Sequence, residues 1–259
     1  MDLGLDGKLV VVTGASKGIG LAITQRFCAE GAHVIAGSRS VTKELAELVG
    51  SHAVTAMEVD LADPDGPARL VAAAGDRLDV LVNNVGAAPV RLEGFLDITD
   101  DMWQQTLNLD LMASVRAMRA AVPVMLARGG GTIVNVGSLN ARLPDPLVLD
   151  YSAAKAALDN LAKGLSKEFG PQRIRINTVD PGPVSTDLWL GGDGVAARLG
   201  AANGQSPEQV VQGTAANMIT GRFSSPQEIA DLVAVLASDR FSSVLGANVV
   251  IDGGMAPML

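Results

Sequence analysis

The sequence predicts an α/β protein: a doubly wound, Rossmann-type fold on a seven-stranded parallel sheet with helices on both faces. Three observations carry this. Short β-branched runs alternate with longer stretches of helical periodicity through the 259 residues. Most of the short runs are uninterruptedly apolar, as strands covered on both faces are. A glycine-rich stretch, Gly14 to Gly20, joins the first such run to the first helical one. Strand and helix in strict alternation imply right-handed crossovers and a parallel sheet.

Taken in order, the strands are "KLVVVT" (8–13), "HVIAG" (33–37), "AVTAME" (53–58), "LDVLVNN" (78–84), "GTIVNVG" (131–137), "RIRINTV" (173–179) and "NVVID" (248–252). Each holds β-branched residues that fit a pleated, buried surface. Helical periodicity occupies 18–30, 41–49, 66–75, 99–127, 151–169 and 226–238. Residues 185–222 break the rhythm with small residues and scattered apolar ones, Leu188, Trp189, Leu190 and Met218. A connection this long inside a compact domain is usually functional, and it reads as a partly helical lid over a substrate pocket. No linker or repeat interrupts the chain, so residues 1–259 read as one domain.

Composition narrows the function classes. The formal net charge is −8 and aromatics make up 3%, which disfavours nucleic acid and anionic membrane surfaces. The single cysteine, Cys28, builds no disulfide or thiolate site within one chain and reads as a small buried hydrophobe. His33 and His52 stand away from every motif, so no metal site is expected. The N-terminus "MDLGLDGK" lacks a signal-peptide pattern, and no apolar run reaches membrane-spanning length. These features suggest a cytoplasmic protein.

Gly14, Gly18 and Gly20 lie where a strand turns into a helix. Glycines there let the backbone approach a pyrophosphate, and the free N–H groups of the helix start bind its charge. Ser16, Lys17 and Ile19 complete that turn. NAD-preferring folds usually carry an acid at the end of the second strand. Here Ser38 and Arg39 stand there instead. A guanidinium suits a phosphate, and Lys17 can reach the same group, so the pattern points to NADP(H), with NAD(H) as the alternative. Asp60, ending the third strand beside Leu61, is positioned for the adenine.

Tyr151 is the only tyrosine, and Lys155 follows it by four residues on a predicted helix. The two share one face, about 6 Å apart along the axis. A phenol with a pKa near 10 must drop by about 3 units, about 4 kcal/mol, to trade protons near neutrality. An ammonium about 5 Å away offers roughly 3 kcal/mol at an effective dielectric of about 20, and a cationic nicotinamide adds to it. Ser138, just past the fifth strand, supplies a second hydroxyl for a developing alkoxide.

Together "TGASKGIG" (13–20), "NNVG" (83–86), Asn108 in "TLNLDL", Ser138, "YSAAK" (151–155) and "DPGPVSTD" (180–187) resemble the short-chain dehydrogenase/reductase family in its compact form, from about Lys8 to Gly254. The resemblance implies roles residue by residue. Tyr151 would be the general acid/base, and Lys155 would lower its pKa and hold the nicotinamide ribose. Ser138 would polarise the carbonyl, and Asn108 would anchor a water relaying protons to Lys155. Asn83, Asn84 and Gly86 would line the cofactor, and Pro181, Gly182, Val184 and Thr186 would face the nicotinamide. Members are commonly homotetramers, so a homotetramer or homodimer is expected. Two departures stand out: Val85 replaces the usual alanine, and Asp180 takes a position often uncharged, where it would select a hydroxylated substrate or cap a turn. The implied activity is reduction of a carbonyl, or oxidation of a secondary alcohol, in a small-molecule substrate. A 3-oxoacyl thioester reductase, an NAD-dependent alcohol or sugar dehydrogenase and a non-catalytic cofactor-binding regulator are the alternatives. The glycine spacing and the chain's length disfavour the longer epimerase branch.

Overall fold

The computed structural model describes residues 1–50 and 53–257, so His52 lies outside the described residues. Seven parallel strands form one sheet in the order β3-β2-β1-β4-β5-β6-β7. They are β1 (Leu9–Thr13), β2 (His33–Ser38), β3 (Val54–Glu58), β4 (Val80–Asn83), β5 (Gly131–Val136), β6 (Ile174–Pro181) and β7 (Asn248–Ile251). The chain builds outward from β1 to β3, then returns to place β4 on the other side of β1. That reversal opens a crevice at the carboxyl ends of β1 and β4, where open α/β sheets bind ligands.

Period-two alternation explains the two cores. Val10 and Val12 point to one face, with Ile23 and Phe27 of α1 (Gly18–Ala29) and Ile229 and Val233 of α10 (Pro226–Ala237). Val11 points to the other, with Leu70 of α3 (Gly66–Ala72), Met118 and Met125 of α5 (Ala113–Ala127) and Leu158 of α6 (Leu149–Phe169). Helix α2 (Lys43–Gly50) adds only one fully buried residue, Leu45, to the first face.

One element differs from the sequence reading. The helix expected at 99–127 is interrupted: α4 (Asp100–Leu107) passes through a π-helical turn at Asn108–Met112 before α5 begins. A π turn inserts extra backbone and shifts which side chains face inward, often at functional sites. Residues 185–222 carry α7 (Asp187–Leu190), α8 (Val195–Asn203) and α9 (Pro207–Ala216). This segment returns to the sheet's carboxyl end through a Val184–Ser224 bridge and an edge-to-face contact of Trp189 with Phe223, centroids 5.1 Å apart. None of the helices is long and apolar enough to cross a membrane, among the described residues.

Candidate active site

The glycine turn lies against the start of the next crossover. A Cβ on Gly14 would stand 3.0 Å from the Val85 backbone, and one on Gly20 would stand 2.1 Å from the Gly14 carbonyl oxygen. Gly14 and Gly18 also take positive φ, +69° and +56°, which favours glycine. The Asn84 amide ties the turn to β4 by donating to the carbonyls of Thr13 (3.0 Å) and Gly14 (3.1 Å). Asn83 is committed elsewhere, donating to Asn135 at 2.9 Å inside the sheet. Helices α9 and α10 begin with complete capping boxes on Ser206 and Ser225. Helix α1 begins at Lys17 with no side-chain cap and no acid in its first turn. Its first N–H groups therefore remain available for an anion. Ser16 and Ile19 are half-buried along this turn.

The other residues singled out in the sequence lie as follows. Ser38 is buried at the end of β2, its hydroxyl donating to the Ser40 carbonyl at 2.8 Å. Arg39 and Lys17 are exposed, and neither takes an ion-pair partner among the described residues. Asp60 is exposed and accepts from the Ala62 N–H at 2.9 Å, while Leu61 is buried. Pro181 ends β6, Gly182 donates to the Ile251 carbonyl at 3.0 Å, Val184 is buried, and Thr186 lies 3.4 Å from a Cβ built on Gly18.

On the β4–β5 side, α6 presents Tyr151 and Lys155 on one face. The Lys155 ammonium lies 5.6 Å from the centre of the Tyr151 ring and donates to the Val136 carbonyl at 3.1 Å. The Ser138 hydroxyl faces the Tyr151 phenol. Gly86 must be glycine here, because a Cβ would meet Asp110 Oδ1 at 2.6 Å and Lys155 Nζ at 3.3 Å.

Asn108 is not where the resemblance put it. Its amide donates to the Ala62 carbonyl at 2.7 Å and its oxygen accepts from Arg116 at 2.8 Å. The π turn instead directs Asp110 inward. Asp110 is fully buried, stands 3.9 Å from Lys155 Nζ and accepts the Ala87 N–H at 3.0 Å. Its other oxygen has no partner among the described residues. Residues two apart on a helix point to opposite sides, so only one of the pair can face Lys155, and sequence alone does not say which.

The charges also differ from the sequence estimate. Burial pushes the Tyr151 phenol above its ordinary pKa, and the negative charges of Asp110 and Asp180 push the same way, against the Ser138 hydrogen bond. Lys155 is lowered by burial, although Asp110, Asp159 and Asp180 all favour its charge. The ammonium is thus shared among several carboxylates. Asp110 is raised to about 6, by burial first, against the pull of Lys155.

A second buried carboxylate braces the site. Asp150, next to Tyr151, accepts from Arg91 Nη2 (2.5 Å), Arg91 Nε (3.2 Å) and the Thr106 hydroxyl (2.7 Å). The Arg91 backbone N–H also donates to the Leu147 carbonyl at 2.7 Å. The segment after β4 is therefore held at Ala87 by Asp110 and at Arg91 by Asp150. Asp180 is fully buried, and the Ser138 backbone N–H faces its carboxyl. Cys28 is half-buried, and burial raises its thiol pKa.

A family model described as Enoyl-(Acyl carrier protein) reductase matches residues 14–256. The chain belongs to the short-chain dehydrogenase/reductase family. It is 33% identical to the uncharacterized oxidoreductase YvrD of Bacillus subtilis (strain 168), over 98% of each chain. It is 34% identical to D-threitol dehydrogenase of Mycolicibacterium smegmatis, over 98% of this chain and 94% of that one. Among solved structures, L-sorbose reductase from Gluconobacter frateurii, complexed with NADPH and L-sorbose, superposes over 100% of both chains with a TM-score of 0.91 and 35% identity. The chain is an oxidoreductase of this family.

Proposed function

We propose that this oxidoreductase moves a hydride between NADP(H) and the carbonyl or secondary alcohol of a small hydroxylated compound, a sugar ketone or polyol. The observation that carries this reading is the convergence of Tyr151, Ser138 and Lys155 at the carboxyl end of the sheet, beside an uncapped helix and a glycine cradle. The residues fit a dinucleotide: Gly14 and Gly20 leave no room for side chains, and α1 offers free N–H groups. Arg39 and Lys17 suit a 2′-phosphate, and Ser38 puts no negative charge against it. Asp60 and Leu61 would border the adenine. Asn84 and Gly86 would line the path to the nicotinamide, and Pro181, Gly182, Val184 and Thr186 would bound it. The names of the D-threitol and L-sorbose enzymes favour a polyhydroxylated substrate and, for the latter, NADPH.

Bound, the nicotinamide supplies the hydride in reduction and takes it in oxidation. The chain does the rest. Ser138 donates to the carbonyl oxygen and fixes its position. Tyr151 holds a proton on its phenol oxygen near neutrality, because its pKa is raised, and gives that proton to the forming alkoxide. Lys155, held by Val136 and Asp110, returns a proton toward Tyr151. Helices α7 to α9 would cover the pocket as a lid.

A panel of ketoses, keto esters and acyl thioesters, with NADPH and NADH consumption followed by absorbance, tests the reading. Ketose reduction with NADPH preferred is the expected result. Turnover of thioesters alone would move the assignment to the 3-oxoacyl reductase alternative, and NADH preference would remove the phosphate argument. β7, half-exposed along its whole length at the sheet's edge, is the face through which copies would pair; sedimentation at low micromolar concentration should show a dimer or tetramer, and a monomer would refute this.

A further inference from the structure

Behind Ser138 lies a second pair of acids that the reaction itself does not use. Tyr151, Lys155 and Asp159 recur every four residues along one face of α6. Asp180 projects from the end of β6 toward the same place. Between them stands Gly137, the residue before Ser138. A Cβ on Gly137 would lie 2.1 Å from Asp180 Oδ1 and 3.2 Å from Asp159 Oδ1. Both of these oxygens are sealed from solvent and lack a hydrogen-bond partner among the described residues. The donors nearby are on the far side. Asn248 donates to Asp180 Oδ2 at 3.4 Å and also braces Asp159. Arg142 approaches Asp180 Oδ2 at 3.8 Å.

We infer that Asp159 and Asp180 hold a single proton between them, one carboxyl neutral beside the other, and that this pair positions Ser138 in the active site. Two carboxylates facing each other without a donor repel, and a sealed unpaired oxygen is costly. One proton removes both problems, as in other carboxyl pairs that occupy one site. The charged groups that face the pair are Lys155 from α6 and Arg142 from the turn after β5. Neither cation donates to the two facing oxygens, so neither replaces the proton. Burial raises both acids, Asp159 to about 7, and Asp180's own charge adds to that shift. The pair acts on the site through the Ser138 backbone N–H, which faces the Asp180 carboxyl. Gly137 is glycine because any side chain would drive the acids apart.

The functional half of this inference rests on the proposed reading of Ser138; the shared proton does not. Infrared spectra near about pH 6, where ordinary carboxyls are ionised, test the proton directly. The carbonyl stretch of a protonated carboxyl should be present in the wild type and survive Asp110→Asn. In the Asp110→Asn background, which removes the other raised carboxyl, it should disappear on adding either Asp159→Asn or Asp180→Asn. Its absence from Asp110→Asn, or its survival in Asp110→Asn/Asp159→Asn, overturns the inference. Should Asp180→Asn fail to fold, Asp159→Asn alone decides. The positioning role is read from kinetics. Asp180→Ala should lower kcat about tenfold, as small misplacements of a reacting group do, with KM for the ketone nearly unchanged. Asp180→Asn, which still accepts the Ser138 N–H, should restore kcat and flatten its pH dependence around the pair's titration. A kcat unchanged in Asp180→Ala removes the positioning role. If the wild type turns over no ketone, the functional reading fails while the infrared result still stands.

Discussion

Arg91→Ala would leave Asp150 charged and sealed beside Tyr151. Asp150 has no exposed side-chain surface and Arg91 only 15%. Removing one partner of such a buried pair typically costs 3–5 kcal/mol. The Thr106 hydroxyl still donates at 2.7 Å, so the lower end applies, about 3 kcal/mol. For a chain of this size that corresponds to a fall in Tm of roughly 6–9 °C. The double variant Arg91→Met/Asp150→Leu should recover most of the loss, since a well-packed apolar pair often replaces a buried ion pair at no cost. The pH dependence has a definite sign. Burial raises the Asp150 carboxyl, but Arg91 and Thr106 outweigh it, and the net shift is downward. The pair's contribution is therefore present above the unfolded carboxyl pKa, about 3.9, and is lost as pH falls through the lowered folded value. In Arg91→Ala burial dominates, so the deficit should be largest near neutrality and shrink on acidification. Urea and thermal unfolding of the wild type, Arg91→Ala, Arg91→Met, Asp150→Leu and the double variant measure the loss and the coupling. A single-variant loss under about 1 kcal/mol, the range of exposed pairs, or a deficit that grows toward low pH, refutes the reasoning.

Other perturbations have equally definite outcomes. Arg39→Ala, at an exposed position, should weaken NADPH by about 5- to 30-fold, the loss of one charge-assisted contact discounted for solvent. NADH should change less than twofold, and equal losses in titrations with both cofactors contradict the phosphate argument. Gly20→Ala would put a Cβ 2.1 Å from the Gly14 carbonyl oxygen and 2.5 Å from Asn84 Nδ2. It should cost about 1–3 kcal/mol in thermal unfolding and abolish dinucleotide binding by fluorescence titration; intact binding contradicts the cradle. Asp110 binds a proton more tightly folded than unfolded, with its pKa raised to about 6. Stability should therefore fall as pH rises from about 4 to about 6. Asp110→Asn should be the more stable protein near pH 8 by roughly 1–3 kcal/mol, with the gap closing by about pH 4. A variant less stable at the higher pH contradicts the sign.

Much of the fold was legible because it is written locally. Unbroken runs such as Val10–Val12 and Val80–Val82 mark strands buried on both faces, and the seven strands stand within a few residues of their sequence bounds. Gly14, Gly18 and Gly20 were legible as a cradle because a tight strand-to-helix turn permits little else. The tyrosine–lysine face followed from helical spacing. The rest depends on contacts between distant segments. Nothing near Asn108 announces a π turn, so the inward residue was misread by two positions. Asp180 looked like a pocket residue because its neighbours are, yet its side chain turns into the protein toward Asp159. The direction of the Tyr151 shift could not be read either. Lys155 is four residues away and visible, but the opposing charges, Asp110 and Asp180, arrive from other strands and helices. Pairwise spacing finds a partner; only the fold shows with whom that partner's charge is shared.

Everything functional turns on whether the Tyr151 phenol passes the proton. Tyr151→Phe removes one oxygen and leaves the ring's packing over Lys155. Steady-state turnover of the best ketone, together with a direct NADPH titration, separates chemistry from binding. The account predicts turnover falling by at least about 100-fold, the usual weight of a general acid, with NADPH affinity within about threefold of wild type. Turnover at the wild-type rate in the phenylalanine variant would contradict it.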